Sequence, residues 1–326
     1  MGANTSIQWT DATWNPVRGC SRVSEGCRNC YAERMAARFS GPASPFHGFA
    51  KQRGTSVDTS DGTYRRVAHG SAWTGKVELI PEKLDEPLRW RKPRRVFVDS
   101  MSDLFHESLS FEDIARVFYV MREAERHTFQ VLTKRPARAV EFMRMESSQR
   151  YGYAGLRNLW LGTSCENQAT ADERIPLLLQ TPAAKRFVSL EPLLGPVDLR
   201  SSLGGTLWIG GQRGHGGSHR GPGSPDCPRE RHHHHDEKCK RGLDWVIVGG
   251  ESGPGARPCD VAWIRSILNQ CREAGVPCFV KQLGACWAHF GADHRQIGSH
   301  RRKKISWKGG NPDEWPQDLR VREFPA

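Results

Sequence analysis

Eight short apolar segments recur along the chain, each ending in polar residues or glycine. They are Thr13–Val17, Lys76–Ile80, Arg95–Ser100, Thr128–Lys134, Leu159–Ser164, Arg186–Glu191, Asp244–Gly250 and Pro277–Gln282. Continuous apolar runs of this length fit strands buried on both faces, the habit of parallel sheets. The first is the weakest, because Pro16 lacks a backbone donor. Helical patterns lie between the runs. Phe111–Arg126 places Ile114, Val117, Phe118 and Met121 on one stripe, and Ala137–Met145 behaves similarly. Ala171–Gln180 contains Pro176, which predicts a kink or a later start. Asp260–Ala274 opens on an acidic cap and stops at Gly275.

Strand and helix alternating at about 30-residue spacing mark βαβ units and a parallel sheet. The expected fold is therefore α/β, a (β/α) barrel of TIM or partial-TIM type. One interval, between the sixth and seventh runs, is about twice the usual length and predicts an insertion over Arg200–Arg241, rich in Gly, Pro, His and Arg. The expected organisation is residues 1–199 as the first part of the barrel, 200–241 as the insertion, 242–291 as its remainder and 292–326 as a basic extension. Ser40–Gly75 and the segment from Ala292 read as flexible and polar.

The chain has 326 residues, 37% of them hydrophobic, enough for a sizeable core and against wholesale disorder. No apolar run approaches the roughly 18 residues of a membrane span, so no membrane is expected. The start lacks the basic-then-apolar profile of a secretory signal. Forty-eight Lys and Arg against 36 Asp and Glu leave a net charge of +12. The cations cluster at Arg89–Arg95, at His300–Lys304 and through the insertion. With Trp90, Trp287 and Trp307 near the runs, this pattern suits a phosphate backbone and stacked bases, although charge runs also serve as plain solvated surface.

Ten cysteines in a long chain without a secretory signal point to metal binding or chemistry in a reducing, cytoplasmic setting. Cys20, Cys27 and Cys30 form a C-x6-C-x2-C group between the first run and a helical segment, Tyr31–Phe39. Three thiolates within eleven residues can face one iron–sulfur cluster and leave one iron open to an external ligand. A zinc site completed by a distant residue and reduced thiols without function are the other readings. A second group, Cys227, His232, His235 and Cys239, offers four tetrahedral ligands for Zn2+, or else a solvated basic loop.

A cysteine triad after the first strand of such a barrel resembles the radical S-adenosylmethionine (SAM) superfamily, with a six-residue gap where that superfamily usually has three. The stretches IQWTDATWNPVRGC, GCRNCYAERMA, RVFVDSMSDLFH, FQVLTKRP, LEPLLGPVDL, LDWVIVGGESGPGARP and FVKQLG more closely resemble a phage-associated family of radical-SAM-like proteins of unassigned function. The resemblance implies a [4Fe–4S] cluster on Cys20, Cys27 and Cys30, with SAM on the open iron. It implies cleavage of SAM to a 5′-deoxyadenosyl radical, and an electron donor such as a flavodoxin or ferredoxin. With the basic charge, it leads to an expected action on nucleic acid, DNA favoured, by distant analogy with spore photoproduct lyase. Modification of RNA or a protein side chain, or a non-catalytic metal-stabilised nucleic-acid-binding protein, are the alternatives.

Chemistry in such barrels sits at the carboxyl ends of the strands. The polar residues ending the runs are thus the candidate SAM contacts: Asp99, Ser100, Lys134, Thr163, Ser164, Glu191, Gly249, Gly250, Glu251 and Lys281. The glycines permit close backbone approach to a ligand, and Glu251 and Glu191 suit an ammonium or ribose hydroxyls. A plain turn, and an ion pair of Glu191 with Lys134 or Lys281, are the structural readings of the same residues. Cys165 is a candidate hydrogen-atom donor, although a buried thiol is more often a small hydrophobe.

Overall fold

The computed structural model describes residues 5–52, 55–58, 65–68, 70–200, 208–209, 242–290 and 308–326. Seven strands form one sheet: β1 (Ala12–Trp14), β2 (Arg95–Val98), β3 (Thr128–Thr133), β4 (Leu159–Ser164), β5 (Lys185–Leu190), β6 (Trp245–Gly249) and β7 (Cys278–Gln282). They lie in sequential order and every neighbouring pair is parallel. The result is an α/β half-barrel. Among the described residues β1 and β7 do not pair with each other, so the sheet stays open.

Both faces of the sheet are covered, and this is why the runs read as continuous rather than alternating. On the convex face Val98, Val131, Leu161, Val188 and Val248 pack with residues of the helices α2 (Phe111–Glu123), α3 (Pro136–Arg144), α4 (Gln168–Leu178) and α5 (Val261–Ala274). On the concave face Trp9, Phe187, Trp245, Ile247 and Phe279 form a second cluster, joined by Phe97, Trp160 and Phe324. Gly162 of β4 makes room for it: a Cβ there would stand 2.5 Å from the Phe187 ring.

The helix boundaries follow their caps. Ser110 accepts from the Asp113 N–H, and Asp260 from the Ala262 N–H. Gly275 closes α5 in the left-handed region. Asn167 and Thr170 form a reciprocal capping box, so α4 begins at Gln168. Pro176 therefore neither starts nor ends α4; it sits within its last turn.

Three expectations are corrected. Lys76–Ile80 is not a strand of the main sheet: only Glu78–Leu79 is extended, pairing antiparallel with Val17–Arg18. In this short ribbon Lys76 and Glu78 are exposed while Val77 and Leu79 pack against the core, and Pro81 opens a helical turn directly after it. The end of the chain is not a free polar tail. Trp315 and Leu319 are buried in the convex core, and Val321–Glu323 hydrogen-bond along the outer edge of β7, at 2.9 Å from Val280 N to Val321 O. The segment expected as an insertion, residues 200–241, consequently lies between the fifth and sixth strands of the sheet rather than the sixth and seventh. Most of it, including Cys227, His232, His235 and Cys239, lies outside the described residues. Trp208 and Ile209 within it are buried, and β5 and β6 on either side pair directly. No helix among the described residues is long and apolar enough to cross a membrane.

Candidate functional site

The connection from β1 to α1 (Tyr31–Arg38) carries Cys20, Cys27 and Cys30 over the carboxyl ends of the strands. All three are half-buried and free. Burial pushes the Cys20 thiol up to about 12; the Asp103 carboxylate adds to this, Arg135 opposes it, and the other two cysteines are near enough to contribute. Burial also raises Cys30, against the pull of backbone N–H groups and of Lys134. The three thiols are thus electrostatic neighbours beside two cations.

Long-range contacts fix this loop. Asp103, beyond β2, accepts from the Thr133 hydroxyl at 2.7 Å, from the Lys134 N–H at 3.0 Å and from Arg135 Nη1 at 3.2 Å. Arg135 Nη2 in turn donates to Ser21 Oγ at 2.8 Å, and its Nε donates to Glu107. His106 Nδ1 accepts the Ser108 N–H, which leaves the proton on Nε2 for Ser21 Oγ, 2.8 Å away. Glu33 on α1 is paired with Arg22 and accepts from the Ser71 hydroxyl. Glu166 accepts the Gly26 N–H at 3.2 Å while paired with the buried Arg174. Glu251 accepts from Asn29 Nδ2 at 2.9 Å and from the Arg257 guanidinium and N–H.

The predicted rim residues divide by strand face. Alternation from the concave cluster puts Asp99, Lys134, Ser164 and Lys281 in the inward-facing register, with Ser189 opposite Ser164. Thr163 belongs to the other register: it is fully buried and donates to the Thr133 carbonyl. Asp99 is in the left-handed region, φ 57°, unusual for a residue other than glycine. One of its oxygens accepts the Val17 N–H at 3.1 Å; the other is buried without a partner. Burial raises its carboxyl to about 8. Ser100 donates to Asn15.

Glu191 is paired with Lys281 at 2.7 Å and accepts from Gln282. The Lys134 ammonium, half-buried, has no hydrogen-bonding partner among the described residues and acts electrostatically on both Cys30 and Cys165. Cys165 is fully buried, and burial holds its thiol far above the ordinary range, so it stays protonated. At Gly250 the space is taken by protein: a Cβ would stand 2.5 Å from the Leu283 carbonyl, and the Gly250 N–H is bonded to Gln282. The Gly249 carbonyl accepts from Leu193.

Asn29, Glu33 and Arg257 lie in stretches that carry the family resemblance but have no role assigned from the sequence, and Glu166 and Arg174 lie in none of those stretches. One signal was available for Glu33. It shares the face of α1 that bears Ala36 and Ala37, where a carboxylate demands a partner.

The chain belongs to the DUF5131 family. That family is described as protein of unknown function (DUF5131), and its profile matches residues 4–316, which include all three loop cysteines and every strand of the half-barrel. No curated protein and no solved structure matches the chain.

Among the described residues no three His, Cys, Asp or Glu side chains converge as a single metal ion requires. A cluster is less demanding in this respect, since each iron takes one thiolate and the ligands spread over several metals. Three free, neighbouring thiols have the chemistry for such a group, and Arg135 beside Cys20 and Lys134 beside Cys30 oppose the burial that otherwise holds those two thiols protonated. The basic run at Arg89–Arg95 stands elsewhere. It leads into the amino end of β2, with Arg94 over the Trp90 ring and Arg95 paired to Asp11, at the opposite end of the sheet from the loop. His300–Lys304 and Trp307 lie outside the described residues.

Proposed function

We propose that this protein is a radical SAM enzyme of partial-TIM-barrel type that acts on nucleic acid, DNA photoproduct repair of the lyase class being the favoured reaction. The observation that carries the reading is the cysteine loop, three free thiols tied over the carboxyl ends of a sequential parallel half-barrel. A [4Fe–4S] cluster bound there would supply the electron that cleaves SAM to methionine and a 5′-deoxyadenosyl radical. Cys20, Cys27 and Cys30 would hold it. Lys134, half-buried beside Cys30 and without a hydrogen-bonding partner among the described residues, would receive an anionic group of the ligand. Asp99, neutral near pH 7, can donate a hydrogen bond from the rim. Cys165 keeps its hydrogen and lies near the same ammonium.

The substrate reading rests on charge and exposure. Tyr31, 60% exposed directly after Cys30, opens α1 and Phe39 caps it, with Arg28 in the loop before the helix and Arg38 at its last residue; neither arginine has an acidic partner among the described residues. Cations with exposed rings suit a nucleic-acid strand. A small reductant of the flavodoxin or ferredoxin kind would supply electrons. All eight cysteines among the described residues are free, which supports a reducing, cytoplasmic setting.

Anaerobic reconstitution with iron and sulfide tests the reading. The expected result is about four irons per chain and broad visible absorption, with 5′-deoxyadenosine released on addition of dithionite and SAM. Cys27→Ala should abolish that release. A chain that takes up no iron, or cleaves SAM equally well without Cys27, overturns the assignment. Stimulation of cleavage by UV-irradiated DNA over undamaged DNA tests the substrate, and its absence with intact SAM cleavage counts against repair.

A further inference from the structure

Five carboxylates close on one loop, two of them through Arg135, and three of the contacts fall on residues next to a cysteine. Ser21, directly after Cys20, is held by Arg135, which Asp103 and Glu107 orient. Gly26, directly before Cys27, gives its N–H to Glu166. Asn29, directly before Cys30, gives its amide to Glu251. The fifth carboxylate, Glu33, takes Arg22 between the first two cysteines.

Glu33 and Glu166 are 1% exposed and Glu251 is 6% exposed. Carboxylates so buried are costly unless fully hydrogen-bonded, and here the loop supplies part of that bonding. The loop and its anchors therefore stabilise each other. Gly26 shows how closely they meet: a Cβ there would stand 3.1 Å from the Glu166 carboxyl.

Many metal-binding loops take shape only when the metal arrives. We infer that in this chain the carboxylates set the loop, so that Cys20, Cys27 and Cys30 stand in place before any metal binds, with Glu166 and Glu251 as positioning residues acting through Gly26 and Asn29. The assignment of the cysteines as ligands rests on the function proposed above; the anchoring of the loop does not.

Site-resolved alkylation of the metal-free full-length chain tests this. In the native chain Cys27 and Cys30 should react slowly with iodoacetamide. Asn29→Ala, which leaves the Glu251–Arg257 pair intact, should speed Cys30, and Glu166→Ala should speed Cys27, each about tenfold. Cys286, half-buried and outside the loop, serves as the control and should not change. Glu166→Gln keeps an oxygen for the Gly26 N–H and should restore slow alkylation of Cys27. Unchanged loop rates, or rates that rise equally at Cys286, overturn the inference. Asn29→Ala stands as the second variant should loss of the Arg174 partner unfold Glu166→Ala. Iron uptake is measured separately: a chain that binds none but loosens selectively refutes the cluster and leaves the anchoring standing.

Discussion

The two ends of the parallel sheet are built from opposite materials. At the amino end of the concave face, Trp9, Phe187, Trp245 and Phe279 fill the interior, with Phe324 of the chain terminus inserted among them. At the carboxyl end the same face turns to Asp99, Lys134, Ser164, Ser189 and Lys281, and the segments above it are joined by ion pairs. Apolar packing is non-directional and tolerates small errors of placement, whereas the polar contacts fix particular atoms. The contrast shows where stability is generated and where geometry is specified. A site that must hold several thiols in a set arrangement belongs at the second end.

The largest expected effect breaks the aromatic end. Trp245 is fully buried, with ring centroids of Trp9, Trp160, Phe187, Phe279 and Phe324 between 5.3 and 6.2 Å away. Its Nε1 donates to the Glu323 carbonyl, tying the terminus to β6. Trp245→Ala should cost about 3–5 kcal/mol in denaturant unfolding, while thiol accessibility in the cysteine loop changes little below the transition. Selective exposure of the loop cysteines at low denaturant would mean that the two ends are not separable.

How much of this was legible follows the same division. The strands could be read because burial on both faces leaves a local trace, an unbroken apolar run, and six of the eight runs fall on strands β2 to β7. Thr13–Val17 was shortened to Ala12–Trp14, as Pro16 warned. Lys76–Ile80 failed because a run of the right length says nothing about its partner, and only the pairing with Val17–Arg18 shows it to be a separate ribbon. The cysteines were visible as a spacing. Their anchors were not, since Gly26 and Glu166 stand 140 positions apart and Asn29 and Glu251 stand 222 apart. Asp99 could be named as a strand-end polar residue, but neither its positive φ nor its unpartnered oxygen leaves any mark in the sequence.

The second effect belongs to the polar end and depends on pH. The folded chain holds the Asp99 carboxyl near 8, while in the unfolded chain it returns to 3.8. Between these values the folded state keeps a proton that the unfolded state has lost. Raising pH through this window therefore favours unfolding, by about 1.4 kcal/mol per pH unit at full difference, and the loss levels off above the folded value. Asp99→Asn carries no such proton. Its stability relative to the native chain should climb with that slope when denaturant midpoints are compared from about pH 5 to pH 8. A constant difference across the range would show that Asp99 ionises freely in the folded protein and that the rim is wetter than its burial implies.

The smallest effect compares one glycine from each end. Gly162 faces the Phe187 ring, which is fully buried and has no room to move, so Gly162→Ala should cost about 1–3 kcal/mol through overpacking. Gly253, in the turn after β6, has φ 98°, and a Cβ there would stand 2.4 Å from Arg34 Nη2. The obstacle is the far end of a flexible side chain whose bonds to Ser252 and Pro254 carbonyls, at 3.4 and 3.2 Å, are partly solvent-accessible. Arg34 can swing aside, leaving mainly the backbone term of about 1–2 kcal/mol. Gly253→Ala should therefore lower the unfolding midpoint modestly. Because Arg34 joins α1 to the Glu251 turn, it should also speed alkylation of Cys30, whereas Gly162→Ala lowers the midpoint without touching the loop. If Gly162→Ala instead frees Cys30, the aromatic end governs the thiols directly, and the rim's ion pairs follow the core rather than set the site.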